Sequence, residues 1–188
     1  MALSSKDIIR LLSDHGAKQY GREAISQLEH ALQCAYLAES AGESDEVVIA
    51  SLLHDVGHML KAENAVAIQP DADRDDLHQY SLMPFLRGKV PDAVLEPIRL
   101  HVDAKRYLCH AEPAYFSALS AASIHSLGLQ GGVFTEHQAH AFLQQPHAEA
   151  AIRLRRYDDL AKVAGRAVPP LEHYLQRLEH LMAADCAE

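Results

Sequence analysis

The chain has no tryptophan, few aromatic residues (6%), and only 17 basic against 26 acidic side chains among its 188 residues. A body with formal charge −9 is a poor general binder of polyanions, so no nucleic acid partner is expected. Cysteine is scarce as well. Cys34, Cys109 and Cys186 are an odd number at scattered spacings with no C-x-x-C pair, which excludes a disulfide framework and points to a reducing compartment such as the cytoplasm. Long apolar runs are missing too. The longest stretch free of Asp, Glu, Lys and Arg, Pro113 to Thr135, is interrupted by four Ser, three Gly, His125 and Gln130, too polar for a membrane span. Lys6, Asp7 and Arg10 likewise leave no signal-peptide hydrophobic region in the first ten residues. No membrane partner is expected. What the chain has in excess is histidine, 13 residues, more than its 4 Phe and 7 Tyr together. Imidazole is the commonest protein metal ligand and titrates near neutrality, so this excess calls for a chemical explanation.

With 48% hydrophobic and 23% charged residues, the length and composition predict a single globular domain over 1–188. No segment alternates as a half-buried strand should, and the fold class is read as all-α. A first helix, capped near Ser4 or Ser5, carries Ile8, Ile9, Leu11 and Leu12 and ends by Gly16. A second is expected from about Glu23 to Gly42, with Ile25, Leu28, Leu32 and Tyr36 on one face. The third starts at Ser44 and is apolar on all sides from Val47 to Leu53, so it should be buried. Residues 61–77, with Pro70 and a DADRDD run, read as a solvated loop. Further helices are predicted at His78–Leu86, Asp92–Tyr107, Tyr115–Ser126, His147–Val163 and Leu171–Met182, with turns at Gln130-Gly131-Gly132 and Pro169-Pro170.

The sharpest local signal is His54-Asp55, predicted to lie in the middle of the buried third helix. A lone ionised carboxylate there costs several kcal/mol or neutralises itself, so a cation should lie against it. An isolated His-Asp pair in a core is more often satisfied by backbone or by Arg. The series around it changes that reading. His30, His54, Asp55, His78, His101 and Asp158, drawn from five predicted helices, mix imidazole and carboxylate as borderline first-row metals prefer. Asp55 has two oxygens and could bridge two ions, and His58 falls on the same helical face.

This ordered H…HD…H…H…D set resembles the HD-domain superfamily, whose metal-dependent members carry it on a helical bundle. Tyr20 to His30, Leu53 to His58 and His101 to Leu108 are similar to the 2-amino-1-hydroxyethylphosphonate dioxygenase branch. The similarity continues at Leu119–Ser123, Gln130–Gly132, Arg155–Asp158 and Glu172–Tyr174. The resemblance implies a single HD-type helical bundle with its metal-binding core at about 20–163. It also implies a mixed-valent Fe(II)/Fe(III) pair rather than a hydrolytic centre. His30, His54, Asp55 and Asp158 would hold one iron, and His78 and His101 the other, with Asp55 between them. Asp158 is preferred to Asp159 because Arg155 stands at the branch's interval before it.

By the same resemblance, His58, Lys105, Ser123 and Arg155 would grip a phosphonate. Glu23 would receive a substrate ammonium, and Tyr20 would cover an iron until substrate arrives. The catalytic set is then Tyr20, Glu23, His58 and Lys105. The implied activity consumes O2 and a small phosphonate. The expected substrate is 2-amino-1-hydroxyethylphosphonate, giving glycine and phosphate. A trimethylated analogue giving glycine betaine is the alternative, and a substrate without nitrogen would leave Glu23 unpaired. Phosphomonoester hydrolysis on the same ligands, a non-catalytic helical scaffold, and a zinc-protease reading of His54 to His58 are the competing classes. Asp103 and Arg156-Tyr157 depart from the branch pattern and could reshape the pocket.

Overall fold

The computed structural model describes residues 3–20, 23–64 and 77–184, and these are helical with no strand among them. The N-terminal helices are α1 (Ser5–His15), α2 (Gln27–Ser40), α3 (Asp45–Leu53) and α4 (Val56–Asn64). Two single turns follow, α5 (His78–Ser81) and α6 (Met83–Leu86), and then the long α7 (Asp92–Ala111). The remainder comprises α8 (Pro113–Ala118), α9 (Ala121–Leu129), α10 (Glu136–Leu143), α11 (Ala148–Leu160) and α12 (Glu172–Ala184). Pro70 and the DADRDD run lie outside the described residues. None of the described helices is long and apolar enough to cross a membrane.

Helix α3 is the axis. Val47 to Leu53 are all buried, as a helix apolar on every side requires. It is enclosed by α2, α7, α11 and α12. Ile8, Leu12, Ile49, Leu52, Leu53, Leu95, Ile98, Leu154 and Tyr174 belong to one continuous core. A smaller cluster, with Leu100, Ala104, Phe134, Phe142 and Ala151, joins α10 to the outer side of α7 and α11.

Several boundaries differ from the sequence reading, each for a local reason. Helix α2 begins at Gln27 rather than Glu23, because Ser26 and Glu29 close a capping box: Ser26 Oγ accepts from the Glu29 amide at 3.2 Å and the Ser26 amide donates to Glu29 Oε2 at 2.7 Å. Glu23 is thereby left in the loop before the helix. Residues 61–64 extend α4 rather than starting a loop. The helix predicted over His78–Leu86 is two turns parted at Leu82, ahead of Pro84 at the start of α6. That predicted over Tyr115–Ser126 is likewise two, because Ser120 caps α9 by accepting from the Ser123 amide. Helix α10 was not anticipated at all. Its signature is a second kind of capping box, Thr135 with Gln138, ahead of the buried Ala139 and Phe142.

The most consequential difference is at His54-Asp55. The pair does not lie in mid-helix but at the junction where α3 stops and α4 starts. His54 turns its Nδ1 onto the Ser51 carbonyl at 2.9 Å, the acceptor that the Asp55 amide would use in an unbroken helix. The His58 amide then closes a tighter turn on the Asp55 carbonyl at 3.0 Å. Gly57 permits the next contact. A Cβ there would overlap the backbone carbonyl of His78, so only glycine lets α5 come down on the start of α4 and bring His78 to Asp55.

Candidate metal centre

Each of the six side chains in the H…HD…H…H…D series is buried, the most exposed being Asp55 at 7%. α2 supplies His30, the α3–α4 junction His54 and Asp55, α5 His78, α7 His101 and α11 Asp158. Three of the imidazoles are fixed from behind. Nδ1 of His30 donates to the Ala161 carbonyl at 2.8 Å, that of His54 to Ser51, and that of His101 to the Ile98 carbonyl at 2.7 Å. A ring nitrogen facing a carbonyl must carry the hydrogen, so the Nε2 atoms are left as lone-pair donors, the usual orientation of a ligating histidine.

With that of His78, the Nε2 atoms converge in two pairs. His30 and His54 approach to 3.3 Å, and His78 and His101 to 3.0 Å. Asp55 stands between the pairs with one oxygen toward each. Its Oδ2 lies 3.4 Å from His54 Nε2 and 3.8 Å from His30 Nε2, and its Oδ1 lies 3.3 Å from His78 Nε2 and 3.7 Å from His101 Nε2. Asp158 closes the first pair, with Oδ1 3.4 Å from His30 Nε2 and Oδ2 3.9 Å from His54 Nε2. Asp159, its neighbour, instead takes Arg155 and the Tyr115 hydroxyl.

Lone pairs aimed at lone pairs around two buried carboxylates demand positive charge. Burial alone would lower the His54 pKa, but the adjacent Asp55 carboxylate, helped by Asp158, carries it up to about 9. Burial likewise opposes ionisation of Asp55, yet His54, His58 and His78 hold its carboxyl well below the usual range. His101 is held well below the ordinary imidazole range by burial and by His78 and His54. A multivalent cation on each side of Asp55 meets the same demand without protons, and the donor chemistry fits one. Four imidazole nitrogens and two carboxylates suit a borderline divalent first-row metal. Cys34 Sγ approaches His30 Nε2 at 3.6 Å, but burial, Asp158 and Asp55 push its thiol up, away from the thiolate that a ligand must be.

Beside Asp55 opens a cavity of about 440 Å³. Tyr20, Glu23, His58, Lys105, Ser123 and Arg155 all reach its wall, together with His78, His101 and Asp158. The Tyr20 ring stacks on His30 with centroids 3.8 Å apart, and its hydroxyl donates to Asp158 Oδ1 at 3.4 Å. His58 stacks on His78 at 4.0 Å and places Nε2 3.8 Å from Asp55 Oδ1. Lys105 is 2% exposed and donates to Ser126 Oγ at 2.8 Å. Burial, and then Arg155, lower its pKa to about 7.

Arg155 faces the cavity but is not a free anion receptor. Its Nη1 donates to Asp158 Oδ2 at 2.5 Å, its Nη2 to Asp159, and its Nε is shared between Asp159 and the Tyr115 hydroxyl, so the guanidinium bridges the two aspartates. Glu23 is not unpaired either: it accepts from Ser120 Oγ at 2.9 Å and lies 3.9 Å from Lys162 Nζ. Asp103 and Arg156, which depart from the branch pattern, stay off the cavity wall. Asp103 pairs with Arg106 at 3.3 Å, and Arg156 with Glu112 at 2.6 Å.

Sequence reasoning missed Ser126 and Lys162, both on the cavity wall. Ser126 was hidden in a polar-broken apolar stretch. Lys162 could have been found as the single cation in Leu160-Ala161-Lys162-Val163, directly after the helix that carries Asp158.

Residues 28–162 match the HD domain family model. Among curated proteins the chain is 43% identical over 175 residues to hydroxymethylphosphonate dioxygenase of Gimesia maris, covering 92% of this chain and 85% of that protein. It is 34% identical over 167 residues to the glycine-betaine-forming [1-hydroxy-2-(trimethylamino)ethyl]phosphonate dioxygenase of Leisingera caerulea, covering 89% and 84%.

Proposed function

The chain belongs to the HD-domain family, and from that premise we propose that it is an iron-dependent oxygenase that cleaves the carbon–phosphorus bond of a 1-hydroxyalkylphosphonate. The observation that carries the reading is Asp55, whose two oxygens each face a separate histidine pair at the floor of a cavity walled by Lys105, His58 and Ser123. The two named relatives support it, since their substrates share a hydroxyl and a phosphonate on one carbon.

His30, His54, Asp55 and Asp158 would hold one iron, and Asp55, His78 and His101 the other, as a mixed-valent pair. When bound, the irons supply Lewis acidity toward the substrate hydroxyl and the redox capacity to use dioxygen. The rest is the work of the chain. Lys105 binds the phosphonate as a buried ammonium, assisted by Ser123 and by the phosphonate's approach to His58. His58 Nε2 holds or returns the proton of a phosphonate oxygen. Tyr20, stacked on His30, covers one side of the centre and must turn aside for substrate to reach it. The burial of all six ligands keeps bulk water from competing.

The overall change needs no water. Hydroxymethylphosphonic acid and O2 together contain the atoms of formic and phosphoric acid, and dioxygen takes up the four electrons released as one C–H and the C–P bond are broken. An ammonium on the second carbon makes the organic product glycine, a trimethylammonium makes it glycine betaine, and Glu23 borders the place where either would sit.

Incubating the anaerobically iron-loaded protein with each of these phosphonates, and then admitting oxygen, tests the reading. Stoichiometric oxygen uptake with release of phosphate and the matching carboxylate is expected. Phosphate release from phosphomonoesters with no oxygen uptake would replace this proposal with hydrolysis.

A further inference from the structure

Among the described residues, the cavity wall carries one cation, Lys162, that neither holds a proposed ligand nor belongs to the expected phosphonate grip. Lys162 follows directly on α11, and its backbone neighbours are pinned to α2. The Ala161 carbonyl takes the His30 Nδ1 hydrogen at 2.8 Å. The Val163 amide donates to Gln33 Oε1 at 3.1 Å, and the Val163 carbonyl accepts from Gln33 Nε2 at 2.8 Å. The backbone on both sides of Lys162 is thus held against α2. The side chain is 14% exposed, and its Nζ donates to Ser123 Oγ at 3.1 Å, with Glu23 Oε1 at 3.9 Å and Asp159 Oδ1 at 3.7 Å.

The two acids are not equivalent. Asp159 already receives both sides of Arg155 and the Tyr115 hydroxyl. Glu23 has a neutral hydroxyl, Ser120, and no other cation than Lys162 among the described residues. Its carboxylate is the group expected to receive a substrate ammonium, yet the chain has placed an ammonium of its own beside it.

Resting on the phosphonate reading above, we propose that Lys162 is the internal counter-ion of Glu23 and sets substrate choice, favouring a 1-hydroxyalkylphosphonate with no cationic group on its second carbon. A cationic substrate reaching Glu23 also comes within a few ångströms of the Lys162 ammonium, and in a half-buried site like charges at that range repel strongly. A neutral or hydrogen-only substituent leaves the Glu23–Lys162 pair intact. Lys162 is thus a specificity residue, and it acts by occupying Glu23 rather than by touching the reacting carbon.

The test compares binding of hydroxymethylphosphonate and 2-amino-1-hydroxyethylphosphonate to the iron-loaded protein under anaerobic calorimetry, with kcat/KM for both measured under oxygen. Wild type should bind hydroxymethylphosphonate more tightly. Lys162→Met, and Lys162→Gln as a second variant, should raise the affinity ratio of aminated over hydroxymethyl ligand by about tenfold or more. Adding Glu23→Gln to Lys162→Met should cancel that gain, because the acid that the ammonium seeks is gone. An unchanged ratio in variants with wild-type helix content would overturn the proposal. So would an equal loss for both ligands, which would assign Lys162 to the phosphonate grip. Wild-type protein that binds neither phosphonate and consumes no oxygen with either would instead overturn the phosphonate reading, and this inference with it.

Discussion

Asp55→Ala is expected to abolish oxygen uptake and to leave the protein without the proposed iron pair. Among the described residues the carboxylate is the only group whose two oxygens address both histidine pairs, at 3.3 and 3.4 Å to the nearer Nε2 on each side. Losing a partner that merely supports a ligand already costs about 10- to 100-fold in metal affinity or activity, and Asp55 would be a ligand to both ions. Activity should therefore fall by more than about a hundredfold, and metal analysis of the purified variant should show fewer than two irons per chain. The variant should still fold, because the core around α3 is apolar and independent of the carboxylate. Two irons retained per folded chain would remove Asp55 from the bridge.

The second large effect is expected at Lys105. Its ammonium is almost wholly buried, donates to Ser126 Oγ, and pairs with no carboxylate within 4 Å among the described residues. A buried cation so placed is costly in the free protein and is relieved by an anionic ligand. Breaking a buried charged contact to a ligand costs about 2–5 kcal/mol, so Lys105→Ala should raise KM by about a hundredfold with a smaller change in kcat. An unchanged KM would place Lys105 outside the binding site.

A pH signature should accompany it. Burial, with Arg155 nearby, lowers the Lys105 pKa to about 7 in the free protein. The ammonium, the form proposed to bind the dianion, is the one present below that value. kcat/KM should thus decline as pH rises through neutrality. Lys105→Arg, whose guanidinium stays charged throughout, should flatten that limb.

How much of this was legible in the sequence depends on the kind of signal each residue carried. The H…HD…H…H…D series could be read because imidazole and carboxylate side chains stand out in the sequence, and the fold brings His30, His54, Asp55, His78, His101 and Asp158 together in its interior. Burial of α3 was legible because Val47 to Leu53 offer no polar face to solvent. The junction at His54-Asp55 was not, since neither residue is a helix breaker. The break depends on the His54 side chain taking a backbone carbonyl, and on Gly57 admitting the chain at His78, 21 positions later. A similar limit applies to Arg155 and Lys162. Arg155 is one of three arginines in α11 and Lys162 stands just past that helix, and only the fold shows that Arg155 is committed to two aspartates while Lys162 meets Glu23 from the other end of the domain core. The α2 start and α10 were accessible in principle. Their capping boxes, Ser26 with Glu29 and Thr135 with Gln138, are three-residue spacings that hydrophobic periodicity alone passes over.

The central claim is a pair of irons sharing Asp55, and the most direct measurement is an anomalous difference map at the iron edge from crystals loaded with iron under anaerobic conditions. Two peaks within about 4 Å of one another, one beside His30, His54 and Asp158 and one beside His78 and His101, with an Asp55 oxygen on each, are the predicted result. A single peak, or two that do not share Asp55, would contradict it.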